Sequence, residues 1–233
     1  MDGLNSEELL GKVLKDVSRA FYLSMRILPA SCRPAISVGY LLARAADTLA
    51  DNPSRTPEER LNDLQAWKAV VKGEADGEAR GRFWQRLRLY VLQAAAKVGG
   101  QSAEGVWDGE SLPESCGPAD LREALAALEK AGKGGKNPGI TDGEARLLLR
   151  LSEAYELFVN LDDFALREVR EVVITLISGM EWDLSYFPGA FTEPEQLEKY
   201  AYLVAGCVGR FWTRITAHYL QAVKPEDMER WRN

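Results

Sequence analysis

The chain has 233 residues and a formal net charge of −6, with acidic and basic groups well mixed. That length suits one domain with a sizeable core, and the charge balance provides no basic footprint for nucleic acid or an anionic membrane surface. One histidine, His218, excludes an HExxH pair or a zinc cluster; it leaves a Ser-His-Asp triad only through that residue, which otherwise reads as a polar group on a late helix.

The acidic N-terminus MDGLNSEELL does not read as a signal peptide. Ser6 precedes a pattern in which Leu9, Leu10, Val13, Leu14, Val17 and Phe21 recur at helical spacing. Pro29 and Pro34 punctuate RILPASCRP, and a second helix is expected from about Pro34 to Asp51. DNPSRTPEER is a loop from which Thr56, Pro57 and Glu59 open a third helix. From 73 to about 143 the glycines concentrate in GGQSAEGVWDGESLPESCGP and AGKGGKNPG, with helical pieces in RFWQRLRLYVLQAAAKV and ADLREALAALEKA. The expectation there is helices on long loops, a loosely ordered insertion within one helical domain. DGEARLLLRLSEAYELFVNL, DFALREVREVVITLISGMEWDLSYF and EPEQLEKYAYLVAGCVGRFWTRITAHYLQAV then restore long helical patterns, and no hairpin signal or repeat interrupts an all-α reading. VVITLISGM is far short of the ~20 apolar residues that cross a bilayer. Cys32, Cys116 and Cys207 are odd in number and without metal-ligand spacing, so a cytoplasmic, reducing setting is expected, with at most peripheral contact with a membrane.

One stretch, YLLARAADTLAD, carries chemistry. Tyr40, Arg44, Asp47 and Asp51 fall at i, i+4, i+7 and i+11, on one stripe of a helix whose flanks are apolar. Carboxylates one turn apart repel, and a hard divalent cation such as Mg²⁺ relieves the repulsion while substrate phosphates complete its shell. Arg44 can pair with Asp47 or reach phosphate oxygens. The stripe therefore reads either as one wall of a Mg²⁺–diphosphate site or as a solvated face with an ordinary Arg–Asp pair; spacing alone leaves both open.

SRAFYLSMRILP, YLLARAADTLAD, LISGMEWDL and YAYLVAGCVGRFWTRI, in this order, span most of residues 18–215. Together they resemble the squalene/phytoene synthase family, the head-to-head trans-isoprenyl diphosphate synthases, and ADTLAD is nearest to its bacterial squalene synthases. The resemblance implies an isoprenoid-synthase-type helical bundle around a central apolar cavity. It implies a Mg²⁺-dependent prenyltransferase that joins two farnesyl diphosphates through presqualene diphosphate and reduces the product to squalene with NADPH. A phytoene or dehydrosqualene synthase that needs no reductant is the near alternative, and a non-catalytic prenyl-diphosphate-binding helical protein the distant one.

Carried over by position, the resemblance makes Asp47 and Asp51 the Mg²⁺ ligands, and Ser18, Tyr40 and Arg44 the holders of diphosphate oxygens. Phe21 would line the prenyl site, Tyr200 would lie near the diphosphate, and Val208 and Gly209 would border the tail channel. The small residues Gly206 and Gly209 would open room for a hydrocarbon. Each has a plainer reading: Phe21 and Val208 as core, Ser18 as a helix-surface serine, Tyr200 as a buried tyrosine satisfied locally. Asp183 matches the GMEWDL block without an assigned role. Arg210 stands where the family pattern has an acidic residue, reversing a charge beside the cavity.

The family also carries a second aspartate-rich helix on the opposite wall, and PEDMERWRN comes about where that helix would begin. The expectation is thus the N-terminal two-thirds of a synthase, with low or no activity alone. Adjacent Asp162 and Asp163 do not substitute: neighbours on a helix point ~100° apart, and the pair reads as a helix boundary.

Overall fold

The computed structural model describes residues 9–18, 20–53, 55–98, 118–133, 139–186, 189 and 193–221. Every regular element among them is helical, in agreement with the all-α expectation. A π-helical turn, Leu9–Val13, leads into α1 (Leu14–Ser18) and α2 (Phe21–Arg26). Then come α3 (Arg33–Ala50), α4 (Pro57–Lys72), α5 (Gly77–Val98), α6 (Pro118–Lys133), α7 (Asp142–Leu149) and α8 (Leu151–Val159). The long α9 (Asp163–Tyr186), α10 (Pro194–Ala201), a second π turn (Tyr202–Gly206) and α11 (Cys207–Leu220) complete the described chain. No helix among the described residues is long and apolar enough to cross a membrane.

α3 is the central strut. Pro34 sits in its first turn, where a missing N–H breaks no intrahelical bond. Ile36, Val38, Leu41, Leu42, Ala45, Ala46 and Leu49 are buried around most of its circumference, against α9 on one side and α8 and α4 on others. α4 begins with the reciprocal cap its sequence predicts: Glu59 N–H donates to Thr56 Oγ1 at 3.2 Å, and Thr56 N–H donates to Glu59 Oε2 at 2.8 Å. It ends at Gly73, whose φ of 81° is a left-handed conformation that favours glycine. Trp67 ties three helices together, donating from Nε1 to the Leu42 carbonyl at 3.3 Å and stacking on Phe83 with ring centroids 5.7 Å apart.

Two long helical patterns are broken. The first pattern splits between Ser18 and Phe21. The Val17 carbonyl, without an intrahelical partner at the end of α1, accepts from the Tyr40 hydroxyl at 3.2 Å. The pattern from Asp142 onward bends at Arg150, whose N–H reaches both Arg146 and Leu147 carbonyls, at 3.2 and 3.1 Å. Between 73 and 143, α5 and α6 are not appendages: Phe83, Leu87, Tyr90, Val91, Ala124 and Leu128 are buried in the same core. The glycine-rich segments 99–117 and 134–138, and Cys116 with them, lie outside the described residues. As expected, Asp162 caps α9, accepting from the N–H groups of Phe164 and Ala165 at 3.1 Å each. His218 lies on a late helix, as expected, and stacks on Phe164 with centroids 3.8 Å apart.

Candidate active site

The Asp47–Asp51 face of α3 borders a cavity of about 820 Å³. α9, which packs on α3, lines it with Val172, Leu176, Met180 and Asp183; Phe21 of α2 and Tyr200, Val204, Val208 and Phe211 from α10 to α11 complete much of the lining. The size falls within the usual range for ligand sites, and the lining is mostly apolar with a few polar groups.

The carboxylate end is held firmly. Tyr90 donates its hydroxyl to the Thr48 carbonyl at 3.2 Å, and Thr48 Oγ1 donates to the Arg44 carbonyl at 2.9 Å. The Asp51 N–H continues the helix, donating to the Asp47 carbonyl at 2.9 Å. In the loop that follows, Arg55 Nε lies 3.2 Å from buried Asp63, which Arg86 also meets at 3.0 Å.

Burial pushes the Asp47 carboxyl above its ordinary range; Arg44 pulls it back, and the neighbouring charge of Asp51 pushes it up again. Two carboxylates one helical turn apart, both bordering the cavity, are hard oxygen donors that fit Mg²⁺. Among the described residues no three His, Cys, Asp or Glu side chains converge, so most of the shell would come from water and a ligand's oxygens.

Most residues nominated from the sequence meet at this cavity: Phe21, Tyr40, Asp47, Asp51, Tyr200 and Val208 all line it. The Phe21 and Tyr40 rings lie 6.2 Å apart. Tyr200 is coupled to Asp183 on the facing helix. Burial raises the Tyr200 hydroxyl pKa, and the charge and hydrogen bond of Asp183 raise it further. The otherwise unassigned aspartate of GMEWDL therefore belongs to the cavity wall.

Three nominations fall elsewhere. Arg44 lies on a second, polar cavity of about 470 Å³, with Lys12, Asp16, Glu129, Glu144 and Arg146. Its NH2 reaches Glu144 Oε1 at 2.5 Å, while NH1 stays 3.5 Å from Asp47. Arg44 thus stands behind Asp47 as a counter-charge, away from the larger cavity. Ser18 is buried beside the end of α1 with its Oγ unpartnered among the described residues, and it does not line the cavity. Gly209 is exposed, and a Cβ there would meet nothing within 4 Å, so its smallness opens no channel.

The glycine that matters is Gly179, in LISGMEWDL. A Cβ there would lie 2.8 Å from Val204 Cγ1 and 3.3 Å from the Leu203 backbone, so its absence lets the second π turn close onto α9. Arg210, the reversed charge, is accommodated on the outer side by Glu171 at 3.1 Å and by the Tyr202 hydroxyl at 3.0 Å. Sequence reasoning also missed Glu144 and Arg60. The first had a signal in the Thr-x-x-Glu cap TDGE; Thr141 and Glu144 form the second reciprocal cap, at the start of α7. Arg60 had none, because its place on the cavity follows from how α4 docks.

The sequence profile of the family described as squalene/phytoene synthase matches residues 14–104 and 115–232. The chain belongs to the squalene/phytoene synthase family. Among curated proteins, presqualene diphosphate synthase of Zymomonas mobilis is 38% identical over 66 residues, which is 27% of this chain and 23% of that protein. The bifunctional lycopene cyclase/phytoene synthase of Blakeslea trispora is 23% identical over 205 residues, 87% of this chain and 24% of that protein. The chain spans about a quarter of the length of these curated relatives.

Proposed function

We propose that this squalene/phytoene synthase relative binds prenyl diphosphates with Mg²⁺ and acts in head-to-head condensation. Two farnesyl diphosphates would join through presqualene diphosphate, with loss of one diphosphate and a proton. The observation that carries the reading is the meeting of Asp47 and Asp51 with Phe21, Tyr40 and Tyr200 on one largely apolar cavity. Asp47 and Asp51 would hold the Mg²⁺. When bound, it would supply neutralising charge to the diphosphate and so favour departure of that group.

The protein's own residues address the rest of the problem. Arg44, fixed between Glu144 and Asp47, keeps a positive charge behind the site where diphosphate charge accumulates. The apolar walls exclude water from an allylic cation, and the faces of Phe21, Tyr40 and Phe211 offer it π-density. Ionisation of an allylic diphosphate needs no tuned general base, so the single histidine, stacked away on Phe164, is no obstacle.

Squalene as product, with NADPH as hydride donor, rests on the family resemblance. Phytoene or dehydrosqualene is the alternative, and one relative bears the name phytoene synthase. A prenyl-diphosphate-binding protein without turnover would use the same apolar cavity and pair of carboxylates. The deciding experiment incubates the purified chain with farnesyl diphosphate and Mg²⁺, with and without NADPH, beside Asp47→Asn. Squalene formed only with NADPH and only with Asp47 supports the full reading; a C30 product indifferent to NADPH supports the reductant-free synthase. Tight binding without product supports the binding protein, and absence of Mg²⁺-dependent binding refutes all three.

A further inference from the structure

Among the described residues Arg60 is the sole cation that lines the larger cavity, where the other charged groups are Asp47, Asp51 and Asp183. It projects from the first turn of α4, next to the end of α3. Its NH1 donates to the carbonyl of Ala50, the residue before Asp51, at 2.9 Å. Its Nε is buried without a partner among the described residues.

Other arginines are already committed to carboxylates: Arg55 and Arg86 to Asp63 at 3.2 and 3.0 Å, Arg44 to Glu144 at 2.5 Å, and Arg214 to Glu168 at 2.5 Å. Arg60 makes no such pair among the described residues; its one side-chain hydrogen bond is to a neutral carbonyl. A guanidinium held by one nitrogen, partly desolvated and set beside the two metal-binding candidates is prepared for an anion with several oxygens.

We propose that Arg60 is the diphosphate-binding arginine of the cavity wall, gripping the ligand's diphosphate at the Asp51 end. The assignment rests on the prenyl-diphosphate reading above and adds a residue that the four family-like sequence blocks do not contain. Arg44 then acts from behind Asp47 as a fixed background charge, and Arg60 makes the direct contact. Lysine cannot reproduce the planar fork that bonds Ala50 and the ligand together, so Arg60→Lys would retain only part of the function.

The test is calorimetric titration of wild type, Arg60→Gln, Arg60→Lys and Asp47→Asn with three probes: farnesyl S-thiolodiphosphate plus Mg²⁺, inorganic diphosphate plus Mg²⁺, and farnesol. Loss of a charge-assisted contact weakens binding by roughly tenfold to a hundredfold. The expected result is that loss in Arg60→Gln for both diphosphate probes, an intermediate loss in Arg60→Lys, and unchanged farnesol binding. Ligand-free unfolding curves identify a variant that fails to fold; in that case Arg60→Lys carries the test. Wild-type affinity for both diphosphate probes in Arg60→Gln, with loss in Asp47→Asn, would overturn the Arg60 assignment and leave the broader reading intact. Equal weakening of farnesol would also overturn it, by reducing Arg60 to a support of the cavity wall. Absence of Mg²⁺-dependent diphosphate binding by wild type would overturn both.

Discussion

Glu144 serves two elements at once, and substitution can separate them. Its Oε2 accepts from Thr141 N–H at 2.7 Å and so caps α7, while Oε1 receives Arg44 NH2 at 2.5 Å. The two charged side chains are 28% and 14% exposed, sheltered enough for the pair to escape most solvent screening. A hydrogen bond to a charged group contributes about 1.5–3 kcal/mol. Glutamine has one acceptor oxygen where Glu144 uses two: with that oxygen completing the cap its NH2 faces Arg44, so Glu144→Gln is expected to lose the charge-assisted contact and cost about 1.5 kcal/mol, the low end of that contribution. Glu144→Ala removes the reach-back to Thr141 as well, and the further loss of cap raises the total to about 2–3 kcal/mol. The assay is urea unfolding at neutral pH of wild type, both Glu144 variants, Arg44→Met and the Glu144→Gln/Arg44→Met double variant. A coupling of about 1 kcal/mol between Glu144→Gln and Arg44→Met is expected. Equal stability of the glutamine and alanine variants, or a coupling below about 0.3 kcal/mol, would refute the claim that Glu144 positions Arg44.

The same structure sets three further expectations. Gly179→Ala would gain about 1 kcal/mol from helix propensity alone; overpacking of Val204 and the Leu203 backbone should reverse the sign, a net loss of about 1 kcal/mol or more by thermal unfolding. Arg214 holds Glu168, which is 3% exposed, by two hydrogen bonds of 2.5 and 2.6 Å. Arg214→Ala removes both hydrogen bonds from that buried carboxylate, leaving Arg167 at 3.7 Å and the more distant charge of Arg210, and should cost about 3 kcal/mol, with Arg214→Lys recovering part of it in the same denaturation assay. Asp162 is held below its usual value of 3.8, first by the Tyr219 hydroxyl and then by the α9 N–H groups. A depressed folded-state pKa contributes stability that is present above 3.8 and lost as pH falls through the lower folded value. Tyr219→Phe should therefore flatten the acid limb of the stability profile below pH 4, and an unchanged limb would count against the bond.

Family-like blocks and local signals made much of the fold legible, because helix caps, prolines and 3.6-residue periodicity act within a few residues. Thr56–Glu59, Pro34 and Asp162 each mark a helix start that the structure retains. The breaks after Ser18 and at Arg150 carry no glycine or proline there, and at the first of them the Val17 carbonyl is satisfied by distant Tyr40. No window of sequence contains that partnership.

The candidate site divides in the same way. Sequence by itself determined that Tyr40, Arg44, Asp47 and Asp51 share one stripe of an apolar helix, since helical geometry follows from spacing. Within that stripe Arg44 falls about 40° to one side of Tyr40, and Asp47 about 20° to the other. Only the tertiary structure decided that this small divergence separates two cavities, because Glu144, a hundred positions along the chain, pairs with the guanidinium at 2.5 Å. Likewise Asp183, Tyr200 and Arg60 come to the same cavity as the carboxylates because α9 and α4 pack on α3 and the second π turn, which follows α10, packs on α9. Long-range packing, which buries charge and chooses its partners, converts a stripe of residues into a site.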